Sequence, residues 1–150
     1  MQTISSILLV SFLLTSSILN ADSLPMPVKL SKTQIAGSIF SDMKPVVEQH
    51  ENEKGPFSTE DVEIFLSSDR HFDTGMYRSG ASRFVINEPY GVDEFMYFLE
   101  GGVKLTSSNG EVMEINAGDA VTIPREWTGT WETGGYTKIY VIYSADREIE

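Results

Sequence analysis

From residue 62 onward the chain falls into short runs of β-forming residues, separated by glycine pairs and an Asn-Gly step, and this punctuation predicts an all-β domain. The predicted strands are 62–66, 74–78, 82–87, 94–99, 103–106, 111–115, 120–123, 128–132 and 136–143. Glycines at 101 and 102, 110, 118, and 134 and 135 mark the later breaks, at the spacing of a sandwich or barrel. Asn109-Gly110 is read as a type I′ hairpin turn, because both central residues of that turn need positive φ. Alternation puts Val103 and Leu105 on one face of their strand and Lys104 and Thr106 on the other.

The segment before these strands has a different character. Residues 1–21 carry no charged side chain, and 4–19 are apolar apart from scattered Ser and Thr. That run is shorter than the ~20 residues a spanning helix needs and ends at the small Ala21 before Asp22, so it reads as a signal peptide cleaved after Ala21. The expected organisation is a signal peptide at 1–21, an N-terminal extension at 22–60 and one β domain at 61–146. Residues 48–56 (EQHENEKGP) show no apolar periodicity and read as a solvated loop, while 28–40 has enough apolar residues to lay an arm against a core.

Composition narrows the function classes. With 22 Asp plus Glu against 11 Lys plus Arg the formal charge is -11, which disfavours phosphate backbones and anionic lipid as partners. There is no cysteine, so disulfides and lipid attachment through cysteine are excluded and stability must come from packing. The expected location is outside the cytoplasm, periplasmic or secreted, with no stable membrane association after cleavage.

Glu94 followed by six residues and Gly101, then Gly118 followed by five residues and Pro124, with a hairpin between, resembles the two motifs of the cupin superfamily. The strings DEFMYFLEGG, NAGDAVTIP, WTGTWE and KIYVIY are similar to the subfamily named for the (S)-ureidoglycine aminohydrolase cupin domain, over about 75–143. The resemblance implies a double-stranded β-helix, or jelly-roll, barrel around a pocket, commonly paired into a homodimer. It also implies a metal held by a His-x-His pair, the motif Glu and a later His. In this chain those His positions fall on Glu88, Tyr90 and Gly129, and only Glu94 is retained.

The chain has two histidines, His50 and His71, too few for an imidazole-rich transition-metal site in one subunit. The expectation is therefore no metal cofactor; the competing one is an oxygen site for a hard divalent cation at Glu88, Tyr90 and Glu94, completed by His71. If Glu94 points inward, period 2 sends Met96 and Phe98 with it. The last strand then offers Tyr136, Lys138, Tyr140 and Ile142 as a second wall. Trp131 joins these from the strand before, Glu88 and Tyr90 stand at the rim, and Gly129 leaves room where a His would reach. Glu94 and Lys138, inside one barrel, must pair with each other or meet a charged ligand.

Three functions remain open. One is a metal-free module that binds a small polar metabolite or sugar through Glu88, Tyr90, Glu94, Met96, Trp131, Lys138 and Tyr140. Another is an enzyme, amidohydrolase-like or an isomerase, that moves protons with Glu94, Lys138 and Tyr140. The third is a structural barrel filled by its own side chains. The export expectation is tested by intact-mass measurement: the mature chain should begin near Asp22, and a protein that keeps Met1 and sediments with membranes would show an anchor instead.

Overall fold

The computed structural model describes residues 26–149; the expected signal peptide and its cleavage point lie outside them. Nine strands follow one another: β1 (Val46–Asn52), β2 (Gly55–Leu66), β3 (Phe72–Ser79), β4 (Ser82–Ile86), β5 (Asp93–Ser107), β6 (Val112–Asn116), β7 (Ala120–Ile123), β8 (Gly129–Thr133) and β9 (Tyr136–Tyr143). All pairings are antiparallel. One sheet runs β1-β2-β3-β9-β5-β7, the other β4-β8-β5-β6, and the two close into a jelly-roll barrel.

Strand β5 belongs to both sheets. Its first half pairs with β7 and β9, its second with β6 and β8. The expected turn at Gly101-Gly102 is instead a corner within this one strand, preceded by a register shift between Phe98 and Glu100. Gly101 has φ 65°, and a Cβ there would lie 2.0 Å from the Gly135 carbonyl oxygen, so the corner needs both the left-handed backbone and the missing side chain.

The Asn109-Gly110 hairpin is present, but as a three-residue loop. Ser107 and Glu111 still pair, Gly110 N–H donates to the Ser107 carbonyl at 2.8 Å, and Gly110 alone has positive φ. A type I turn followed by a left-handed glycine gives this geometry, which asks nothing unusual of Asn109.

Residues 48–56 are not a loop. They lie in a hairpin of β1 and β2 that registers Asn52 against Gly55, and β2 runs on through residue 60. Strand β1 is an edge strand exposed along most of its length, so no buried face imposes alternation on its sequence. His50 anchors it, with its ring stacked 4.9 Å from Phe57 and Nε2 2.9 Å from the Thr59 hydroxyl.

Ahead of β1, a π-helical turn at Gln34–Ser38 continues into an α-helical turn at Ile39–Asp42. Ser31 and Gln34 exchange side-chain-to-backbone hydrogen bonds of 2.9 and 3.2 Å, a capping box that starts this segment. Its buried Ile39 and Phe40 pack on Val62 and Met76, one of two cores. The other core lies between the sheets and holds Met96, Phe98, Val103, Leu105, Ile115, Ile123 and Trp131. Both alternation readings agree with it: Val103 and Leu105 are buried with Lys104 exposed, and Glu94, Met96 and Phe98 are buried with Phe95 and Tyr97 exposed.

Candidate functional site

The barrel encloses an open cavity of about 600 Å³. Strand β9 supplies Tyr136, Lys138, Tyr140 and Ile142; β5 supplies Glu94; β8 supplies Trp131; and Tyr90 precedes β5. The opposite side comes from Asp61 on β2, Asp73 and Tyr77 on β3, and Phe84, Val85 and Ile86 on β4. Antiparallel register explains the grouping. Tyr77 sits opposite both Asp61 and Lys138, and Ile142 sits opposite both Asp73 and Glu94, so each set lies across neighbouring strands on one face.

Glu94 and Lys138 meet in the interior, where Lys138 Nζ donates to Glu94 Oε1 at 2.6 Å with only 7% and 4% of the two side chains exposed. The pairing is diagonal: Lys138 is registered with Phe98 and Glu94 with Ile142. Four residues along a strand is about 13 Å, so the lysine stem must run along β5, and Nζ passes Met96 Sδ at 3.2 Å on the way. The rings of Tyr77, Trp131 and Tyr136 stand with centroids 5.4, 5.6 and 5.8 Å from Nζ, which adds cation–π attraction where water is excluded. Tyr90 donates its hydroxyl to the second oxygen of Glu94, so both carboxylate oxygens have partners.

A second polar group lies across β3. The Tyr140 hydroxyl donates to Asp61 at 3.0 Å. To reach it the ring crosses β3 above Gly75, where a Cβ would stand 2.2 Å from the Tyr140 oxygen. Asp73 completes the group: it is 6% exposed and its Oδ1 has no hydrogen-bond partner. Burial, followed by the charges of Glu63 and Asp61, pushes the Asp73 carboxyl up to about 6. Burial likewise raises Asp61. The hydroxyls of Tyr90, Tyr136 and Tyr140 are pushed well above the usual tyrosine range, first by burial and then by neighbouring groups, so they keep their protons, and those of Tyr90 and Tyr140 donate to Glu94 and Asp61.

Of the sequence-derived candidates, Tyr90, Glu94, Trp131, Lys138 and Tyr140 share the cavity wall, and Met96 lies beneath it against the lysine. Glu88 is exposed and is not part of the wall, because residues 87–92 leave the strand before reaching β5. Gly129 opens no room: a Cβ there would lie 2.3 Å from the Thr106 carbonyl oxygen and 2.7 Å from the Trp127 ring, which fills that space. Trp127 packs edge-on to Tyr90 and donates Nε1 to Ser107 Oγ at 3.0 Å, half-buried against the core and outside the cavity wall. Asp61, Asp73 and Tyr77 were not read from the sequence. The alternation Asp73, Gly75, Tyr77 carried the signal, but only pairing with β9 gives it direction.

The residues do not fit a cupin-type metal. Glu94 is held by an ammonium and a phenol, Glu88 points to solvent, and His71 engages the Ser144 carbonyl through Nδ1 at 2.5 Å. Among the described residues no three His, Cys, Asp or Glu side chains converge as metal ligands.

The jelly-roll topology and its cavity agree with the family match, which places the chain in the cupin superfamily. Residues 66–140 match the EutQ-like cupin domain, and the chain belongs to that family. Solved structures agree on the fold. A protein of unknown function from Pseudomonas syringae pv. tomato is 20% identical with a TM-score of 0.59, over 66% of this chain but only 43% of its own. The EutQ protein of Clostridium difficile is 19% identical with a TM-score of 0.51, over 61% and 71% of the two chains. A Rhizobium leguminosarum protein of unknown function is 21% identical with a TM-score of 0.52, over 78% and 99%. Comparison with curated proteins found no match.

Two outcomes follow from this geometry. Lys138→Met should cost about 3–5 kcal/mol in denaturant melts by stranding a buried carboxylate, and adding Glu94→Gln should recover part of that loss; additivity within about 0.5 kcal/mol would mean the pair is not coupled. Because the folded Asp73 carboxyl is raised, its contribution to stability is complete below about pH 4 and is lost as pH climbs through about 6. Asp73→Asn should therefore match the wild type near about pH 4 and exceed it by about 1–2 kcal/mol near about pH 7. A variant no more stable at neutral pH would contradict the burial of that charge.

Proposed function

We propose that the protein is an exported, metal-free cupin module that binds a small polar molecule inside the barrel. The observation that carries this reading is the cavity of about 600 Å³, whose apolar and aromatic wall carries a few converging polar groups. That volume suits a ligand the size of a sugar or a small metabolite, and Trp131 with Tyr136 offers ring faces to it. The metal-free part rests on Lys138, whose ammonium holds the one carboxylate retained from the metal-binding pattern.

Elemental analysis should find less than one equivalent of transition metal, with a melting temperature unchanged by chelation. Thermal-shift screening of sugars and polar metabolites should give ligands that raise the melting temperature of the wild type but not of Ile86→Trp, which crowds the cavity from the inward face of β4. A tightly held equivalent of metal would overturn the metal-free reading. Ligands that stabilise the blocked variant equally would remove the barrel as the binding site.

A further inference from the structure

Among the described residues, no basic side chain forms an ion pair with the carboxylates at the acidic end of the cavity. Asp61 and Asp73 lie on β2 and β3, with Tyr77 between Asp61 and Lys138 in the register of the sheet. Lys138 is the only basic side chain among the cavity-lining residues described, and Glu94 already holds it at 2.6 Å. Asp61 accepts the Tyr140 hydroxyl's hydrogen bond, whereas Asp73, 6% exposed and on the cavity wall beside the same tyrosine, has an oxygen with no hydrogen bond among the described residues. An unpartnered acceptor that deeply buried is costly to fold around, and a donor arriving with a ligand would relieve that cost.

We propose that this end of the cavity is a subsite for the ammonium group of a small organic amine, an inference that rests on the reading of the barrel as a small-molecule site. The opposite wall shows how the same barrel treats an ammonium: Lys138 Nζ has one carboxylate and three aromatic rings around it. At the acidic end, Asp61 and Asp73 provide the carboxylates, Tyr77 and Tyr140 the aromatic surface, and Ile142 an apolar surface for the alkyl part. A bare divalent ion suits the place poorly, since no three acidic or histidine side chains converge there. An ammonium has three N–H groups that can satisfy separated carboxylates one by one.

The test is calorimetric titration of the full chain with butylammonium chloride, with 1-butanol and sodium butyrate as the uncharged and anionic probes at matched ionic strength, and backbone NMR shifts to locate binding. Butylammonium should bind and shift residues of β2, β3 and β9. Asp61→Asn and Asp73→Asn should each weaken it by about tenfold or more. Glu114→Gln, which removes an exposed carboxylate on β6, should change it by no more than about twofold, since exposed charges are screened. The Asn variants lose a desolvated charge, so their melts check that weaker binding is not unfolding.

Equal or tighter binding of butanol or butyrate in the cavity would overturn the amine assignment and leave the small-molecule site standing. Butylammonium binding that is the same in all variants would mean that the acidic surface attracts it, which also overturns the assignment. If none of the three probes shifts a cavity residue, the assignment and the small-molecule reading both fall.

Discussion

The buried ion pair between Lys138 and Glu94 constrains the rest of the interior. A carboxylate or an ammonium alone in that space would be desolvated with no compensation, so each residue is tolerable only because the other is within 2.6 Å. The diagonal span between their strands requires a long, flexible cation, and Lys138 meets it by lying along β5 past Met96. Once the ammonium is fixed, Tyr77, Trp131 and Tyr136 can close around it, and Tyr90 is drawn to the free oxygen of the carboxylate. The polar centre of the barrel and its aromatic wall are therefore one arrangement.

That arrangement also bears on the relation to metal-holding cupins. Where a divalent ion would collect several ligands at one point, the present barrel brings its own cation on a side chain. Its charge satisfies one carboxylate and leaves Asp61 and Asp73 outside its reach as hydrogen-bond partners. The unequal distribution leaves the interior acidic toward β2 and β3. Tyr140 carries a hydrogen bond from β9 to Asp61 on β2, reaching over Gly75.

Much of the site was legible because it lies on strands with one buried face. Period 2 assigned Glu94, Met96 and Phe98 to the interior, and Tyr136, Lys138, Tyr140 and Ile142 to the cavity wall, without knowledge of which strands pair. What was missed depended on pairing or on irregular backbone. Asp61 and Asp73 enter the cavity only because β2 and β3 join β9, and the sequence contains no local record of that neighbour. Glu88 was placed by counting back from a motif through residues that leave the strand. Strand β1 is exposed along most of its length, so it carries no alternation to detect. Gly129 was read as vacant space, whereas Trp127 folds back into it.

The order of strands in space has a consequence for how the protein is made. Among the described residues, strands β1, β2 and β3 form a ladder that joins the remaining strands, in the sheet path, only through β9, which is made after all of them. Until residues 136–143 have emerged, the carboxylates of β2 and β3 and the glutamate of β5 sit on two ladders with no strand pairing between them. Pairing β9 between them is a long-range closure, which is slow relative to the local hairpins that precede it. The nascent chain thus carries two half-built walls, and β9 then delivers the lysine, the bridging tyrosine and the seam that makes them a single cavity.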